Sequence, residues 1–215
     1  MAKPPKEMEY RYELSGGRLC LDFVNTVSGD RAGHPTERLA TYADLVSWSR
    51  QAEIVDDAEA RRLLAEARRR PGDAEAVHGD ALAFREALYR IFTAIAGGLE
   101  APAEDLARLS DHLARALSHR RIVRGGPACC RLAWSDPPDA LDAPLWRVAA
   151  SAMELLTSGP DLARVRQCGM HDTRECSWLF MDHTRAGTRR WCSMKDCGNK
   201  AKARRHYERV KHGEA

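Results

Sequence analysis

Apolar residues recur at helical spacing through the middle of the chain. Val77, Ala81, Phe84, Leu88, Ile91 and Ile95 mark one stripe that Gly97-Gly98 ends, and this segment reads as the longest helix. Before it, Leu39, Tyr42, Leu45, Val46 and Ser49 share one side of a helix that Thr36 can cap, with Trp48 near the edge. Asp56 starts another, carrying Ala60, Leu63, Leu64 and Ala67, and Pro71-Gly72 stops it. After the long helix, Leu106, Leu109, Leu113 and Leu117 predict a helix over 103–118. Pro144 then opens a last one through Trp146, Val148, Ala152 and Leu155, ending near Gly159-Pro160.

Strand patterns are shorter. Glu9 to Leu14 alternates, and Ser15-Gly16-Gly17 turns it. Arg121-Ile122-Val123 and Cys129 to Trp134, separated by Gly125-Gly126-Pro127, form a hairpin that could join that strand in a small sheet. Leu19 to Val27 fits either a buried strand or a short helix. In both, Leu21 and Val24 point inward and leave Asp22 and Asn25 beside a core, where a polar group needs partners. Asp22 and Asn25 either tie down neighbouring backbone or, with Trp48, line a site for a small-molecule effector. Cys20, Cys129 and Cys130 read as packed thiols, and His78, His112 and His119 as surface or helix-end residues without a metal role.

Residues 1–163 therefore form a mainly helical α+β domain with a small antiparallel sheet. At 215 residues and 44% hydrophobic, the chain can bury one sizeable core plus a small appended module. No apolar run approaches the roughly 20 residues that span a bilayer. Met1 to Glu13 is charged and lacks the apolar segment of a signal peptide, so a reducing cytoplasmic location is expected.

The second unit, 164–215, carries the chemistry. Cys168 and Cys176, then Cys192 and Cys197, are two short-range pairs joined by an excursion of fifteen residues. A structural zinc takes four thiolate or imidazole ligands in a tetrahedron, and this arrangement gathers four while closing a single long loop. His171, three residues after Cys168, competes with Cys176 as the second ligand, because Cys-x-x-His is also a ligand spacing. The excursion suits a hairpin: Trp178 to Met181 out, a turn at Thr184 to Gly187, and Arg189 to Cys192 back. Gly198 precedes a run of helix formers, which gives a treble-clef-like finger with the last ligand at the start of a helix. So small a module buries little apolar surface, and the binding energy of zinc becomes its folding energy.

Cys176-Ser-Trp-Leu-Phe-Met-Asp182, with Arg190-Trp-Cys192-Ser-Met and Cys197-Gly-Asn199, resembles the CGNR-type zinc finger of bacterial proteins whose N-terminal part is the ABATE domain. Leu19-Cys-Leu-Asp-Phe-Val-Asn25-Thr26 and Tyr42-Ala-Asp-Leu-Val-Ser-Trp48 resemble the opening of that domain, so the likeness spans nearly the whole chain. The resemblance implies a helix-rich domain that senses stress or a ligand, joined to a finger in a transcriptional regulator; RNA binding has also been suggested for the family. Two departures stand out. Lys200 replaces the family's arginine and loses its bidentate fork. The first cysteine pair is also wider than the family's four-residue spacing, so its extra residues should bulge.

Charge points the same way without the resemblance. From Arg164 onward there are thirteen Lys and Arg against six Asp and Glu, or +7, whereas the whole chain is +3 and the first 163 residues are −4. A basic tail on an ordinary domain suits a nucleic acid. Ala203, Tyr207 and Val210 recur on the last helix as a face toward the finger, leaving the cations outside. Arg189, Arg190, Lys200, Lys202, Arg204, Arg205 and Arg209 are the candidate phosphate contacts on DNA. A homodimer reading two half-sites is expected on general grounds. If Trp178, Phe180, Trp191 and Tyr207 faced outward they could instead stack RNA bases, and a third reading has the finger bind a protein. No phosphate loop, nucleophile elbow or zinc-protease helix is present, and a four-cysteine site leaves no open position for water. The chain is expected to be no enzyme.

Overall fold

Leu19 to Val24 is a short helix, α1 (Leu19–Val24), and it sits at the centre of the fold with Cys20, Leu21, Phe23 and Val24 all buried. The computed structural model describes residues 10–126, 129–135, 137 and 140–211. After α1, a tight hairpin of β1 (Val27–Gly29) and β2 (Pro35–Glu37) leads to α2 (Tyr42–Gln51), α3 (Asp57–Arg69), α4 (Pro71–Ala96) and α5 (Ala103–Ser118). A longer hairpin, β3 (Arg120–Gly126) and β4 (Cys129–Trp134), precedes α6 (Ala143–Thr157) and the single turn α7 (Gly159–Leu162). The C-terminal part adds β5 (Val165–Gln167), β6 (Leu179–Met181) and α8 (Asn199–Lys211).

The helices follow from their ends as much as from their stripes. Thr36, expected as a cap, lies in β2 opposite Ser28, so its backbone belongs to a ladder. The cap of α2 is Thr41, whose side chain accepts from the Asp44 N–H while Asp44 returns a bond to the Thr41 N–H. Asp56 and Glu59 make the same reciprocal box for α3. Pro71 sits at the start of α4, where its missing N–H is harmless, so one residue, Arg70, separates the two helices.

Helix α5 spans the expected residues but presents a different face. Asp105, Leu109, His112 and Ala116 go inward, whereas Leu106 and Leu117 are exposed. Partners explain the polar pair: Arg90 holds the Asp105 carboxylate at 2.8 Å, and the His112 ring stacks on Phe84 with centroids 3.8 Å apart. His112 is thus a core residue rather than a surface one, and burial lowers its pKa to about 4.

The N-terminal strand does not form over residues 10–14, and Glu9 lies outside the described residues. Side chains hold that segment instead. The Tyr12 hydroxyl donates to the Arg38 carbonyl at 3.0 Å, and the Tyr12 N–H donates to Gln51 at 3.0 Å. Among the described residues the strands make three separate two-stranded antiparallel sheets. The β3–β4 hairpin consequently stands apart, and Cys129 and Cys130 on it are exposed rather than packed.

The main core gathers α1, α2, α4 and α6 around Phe23, Trp48, Phe84 and Phe92. It also includes Val165, Leu179 and Met181 from β5 and β6. Phe180, between the last two, belongs to a second cluster with the four C-terminal cysteines. Alternation along a strand puts neighbours on opposite faces, and here both faces of β6 are buried. Strand β6 is the wall between two interiors.

Candidate metal centre

Each cysteine is placed by a different local device. Cys168 directly follows β5, and its N–H donates to the Trp178 carbonyl at 2.9 Å, which continues the β5–β6 ladder by one bond. The wide spacer folds into successive turns: His171 N–H to Cys168 carbonyl at 2.8 Å, Arg174 N–H to His171 carbonyl at 2.9 Å, and Glu175 N–H to Met170 carbonyl at 3.1 Å. These turns are the anticipated bulge, and they return the chain to Cys176 just before β6.

Beyond β6, Asp182 closes the loop 183–188. Its carboxylate accepts from the Thr184 hydroxyl at 2.6 Å, the Thr184 N–H at 2.9 Å and the Arg189 N–H at 2.9 Å, and these bonds, the Thr184 hydroxyl first, hold it below the usual carboxylate range. The return segment does not pair with β6 as expected. The partner of β6 is β5, in the register Val165 to Met181, and the Arg190 carbonyl accepts instead from the Gly169 N–H at 2.8 Å. The outgoing strand had a better edge available, since β5 lies against α4 and closes the main core. Ser193 then caps a wide turn, Met194–Gly198, which carries Cys197 and runs directly into α8.

All four sulfur atoms lie within 4.8 Å of one another, and all four cysteines are buried. Cys176 and Cys192 are 3.7 Å apart at sulfur, and Cys192 and Cys197 are 3.5 Å apart. Tetrahedral zinc with bonds of about 2.3 Å requires sulfurs about 3.8 Å apart, whereas a disulfide brings them to about 2.05 Å. The spacing fits four ligands around one ion and is far too long for disulfides. His171 is exposed and outside the group, so Cys176 is the second member. Without a cation the sulfurs compete: hydrogen bonds from Cys176, Cys192 and Cys197 pull the Cys168 thiol far down, and the contact with Cys168 pushes Cys192 far up. A divalent ion lets all four be thiolates together.

Around the sulfurs, Met170 and Phe180 are buried, and Trp178, Trp191 and Ala201 pack on the cluster. Two glycines given no structural role by their sequence context admit Trp191. A Cβ on Gly169 would stand 2.9 Å from its ring and one on Gly198 3.3 Å from it. A glycine directly after each of Cys168 and Cys197 was the available signal.

Residues 17–159 match the family described as "Putative stress-induced transcription regulator", ABATE, and residues 164–210 match the CGNR zinc finger. The chain belongs to the ABATE family. No curated protein matches it. As an ABATE protein with a CGNR finger it binds zinc through this cysteine cluster. Its family points to a regulator whose partner is a nucleic acid or a protein. Among the described residues no helix is long and apolar enough to cross a membrane.

The other candidate residues of this ABATE chain are scattered. Asn25 is buried, and its amide makes a two-way bond with the backbone of β6: it donates to the Leu179 carbonyl at 2.8 Å and accepts from the Leu179 N–H at 2.9 Å. Asp22 accepts from the Gly16 N–H at 2.7 Å, and burial raises its pKa to about 6. Trp48 is fully buried against Phe23. These three serve packing and backbone bonds rather than one shared ligand site. Arg189 also turns inward. Its guanidinium covers the Phe180 ring at 4.3 Å and donates to the carbonyls of Trp191 at 2.9 Å and Cys192. Arg190 is exposed beside Trp191, and Lys200, Lys202, Arg204, Arg205 and Arg209 are exposed on α8. Arg204 pairs with Glu175. Ala203, Tyr207 and Val210, expected against the finger, are exposed too; Ala201 takes that place.

Proposed function

We propose that this chain regulates transcription by docking α8 on duplex DNA, with zinc holding the helix in position and the N-terminal domain sensing an effector or partner. The observation that carries the reading is that α8 buries no residue while presenting Lys200, Lys202, Arg204, Arg205, Arg209 and Lys211, with Glu208 the one acid on the helix and Arg204 paired with Glu175. A helix with so little packed surface is stabilised by what it binds, and a B-form major groove about 12 Å wide admits a helix. Cations on such a helix neutralise phosphates, with one or two side chains left to read base edges. Lys200 contributes charge without the bidentate geometry of an arginine. The role is binding rather than catalysis, because four thiolates leave zinc no open position. A homodimer would present two such helices to paired half-sites.

Stacking of single-stranded RNA needs exposed rings. Phe180 is fully buried, the half-buried Trp178 donates its indole N–H to the Val27 carbonyl at 2.7 Å, and Trp191 is half-buried among glycines, so of these four rings Tyr207 is the exposed one. That balance favours the duplex. Fluorescence anisotropy of the zinc-loaded protein across a salt series tests it. Six phosphate contacts give a slope of log affinity against log salt of about −5. Absence of duplex binding, or tighter binding to a single-stranded RNA competitor, would overturn the reading.

A further inference from the structure

The β3–β4 hairpin is a ribbon rooted on the body at Trp134 and open beyond it, and all of its charged residues are arginines. Arg120, Arg121, Arg124 and Arg131 lie on it, and no Asp or Glu occurs between Ser118 and Ser135, although the first 163 residues together are −4. Its strands pair in the register Arg120 to Trp134, Ile122 to Leu132 and Arg124 to Cys130. Directly opposed residues share a face. One face therefore reads Arg120 with Trp134, then Ile122 with Leu132, then Arg124 with Cys130. Trp134 packs on the main core, with Arg147 of α6 5.3 Å over its ring, whereas Ile122 is 76% exposed and Leu132 58%, so beyond its root this face is open. An isolated two-stranded hairpin is marginal in water unless something is laid against it.

We propose that this ribbon is a second nucleic-acid contact, an arm that enters a duplex groove while α8 holds another stretch of the same duplex. The proposal rests on the reading of α8 as the DNA-docking helix. Two strands about 4.8 Å apart, running about 20 Å, have the cross-section that a major groove accepts. Arg124 at the outer end of this face and Arg131, opposite Val123 on the other, reach phosphates on either side of the groove, and the Ile122–Leu132 pair supplies the apolar contact that thymine methyls offer. The root of the arm is preorganised. The Arg120 guanidinium lies 4.1 Å over the Trp134 ring, and Arg121 donates to the Ser118 carbonyl at 2.7 Å. Arg124 and Arg131 lie farther out and make no such contact among the described residues.

The arm and the finger are also connected along the surface. Arg120 and Trp134 share an open groove of about 570 Å³ with Gly17, Arg18 and Arg147, and also with Glu53 and Glu154. Gly17 abuts the finger: a Cβ there would stand 3.1 Å from Met181 and 3.2 Å from His183.

The test uses the full-length zinc-loaded protein and a mixed-sequence duplex of about 30 base pairs. Three proteins are compared across a salt series: the natural sequence, the double variant Arg124→Ala with Arg131→Ala, and the double variant Lys202→Ala with Arg209→Ala on α8. If the arm contacts two phosphates through these arginines, the salt slope falls by about 1.8 and affinity at 0.1 M salt by roughly 60-fold, with the thermal midpoint unchanged. An arm variant that binds like the natural protein while the α8 variant weakens would overturn the arm and leave the α8 reading standing. If the natural protein does not bind duplex at all, both fall. Weakened binding accompanied by a changed sedimentation coefficient of the free protein would also overturn the proposal, because the ribbon would then be joining two copies.

Discussion

Two interiors in this chain are built on different physics. The larger one, around Phe23, Trp48, Phe84 and Phe92, is held by apolar area and closed by paired charges such as Arg85 with Glu37 at 2.6 Å. The smaller has Met170 and Phe180 as its buried hydrocarbon and four cysteine sulfurs as its centre. Between them stands β6, which sends Leu179 and Met181 into the first and Phe180 into the second. A module too small to exclude water by itself thus borrows one wall from a neighbour and closes the others with a metal. The β1–β2 hairpin braces that wall from the body side, through Trp178 bonded to Val27.

The comparison breaks most completely at the sulfurs. Cys192→Ser removes the ligand between Cys176 and Cys197, and since finger-type zinc contributes about 10–16 kcal/mol of folding energy, zinc content should fall to zero. The body should still melt as one cooperative unit, because no residue of its core depends on the metal. Elemental analysis beside a calorimetric trace checks both halves; loss of the cooperative melt would show that the interiors are one.

Adjacent residues on the wall sharpen the contrast. Phe180→Ala should cost about 3–5 kcal/mol and Leu179→Ala about 2–5 kcal/mol, but in different currencies of measurement. Phe180→Ala should speed zinc loss to a chelator, whereas Leu179→Ala should lower the denaturation midpoint of the body and leave zinc retention near normal. Identical behaviour of the two variants would argue against a dividing strand.

Asn25→Ala comes next. It leaves the buried N–H and carbonyl of Leu179 without partners, a loss of roughly 2–4 kcal/mol, with zinc retained. Denaturant unfolding reads this directly. Unchanged stability with an altered effector response would instead return Asn25 to a ligand role.

Asp22 gives the smallest effect, confined to the body. Burial raises its pKa to about 6, above its value in an unfolded chain, so the folded form holds a proton that the unfolded form has released. That stabilisation is complete below about pH 4 and is lost as pH rises through about 6. Asp22→Asn keeps the acceptor for Gly16 and removes the titration; it should be more stable than the natural protein by about 1–3 kcal/mol at pH 8 and equal to it near pH 3.5. His112, whose pKa is lowered to about 4 by burial, has the opposite slope and loses stability as pH falls from about 6.5. Taking the difference between variant and natural protein cancels it.

What the sequence disclosed follows the same division. Long stripes announced α4, α5 and α6, and the cysteine spacing announced the metal, because both are patterns with few alternative uses. The inward face of α5 was hidden, since Asp105 and His112 are buried only by virtue of Arg90 and Phe84 on another helix. Strands of three residues, like β5 and β6, are too short to carry a period, and the partner of β6 was misplaced for that reason. On α8 an apolar recurrence at helical spacing suggested a packed face, yet Tyr207 is 69% exposed. The recurrence there is a property of the helix surface without a neighbour to bury it.

Hydrogen exchange read by mass spectrometry, before and after zinc is stripped with a chelator, tests the two-interior account most directly. Amides from Gly169 to Glu175 and from Arg189 to Lys211 should lose protection, while α1, α4, α6 and the paired residues of β5 and β6 keep theirs, so that the boundary runs beside the hairpin. Protection lost across the whole chain, or retained across the finger, would contradict it.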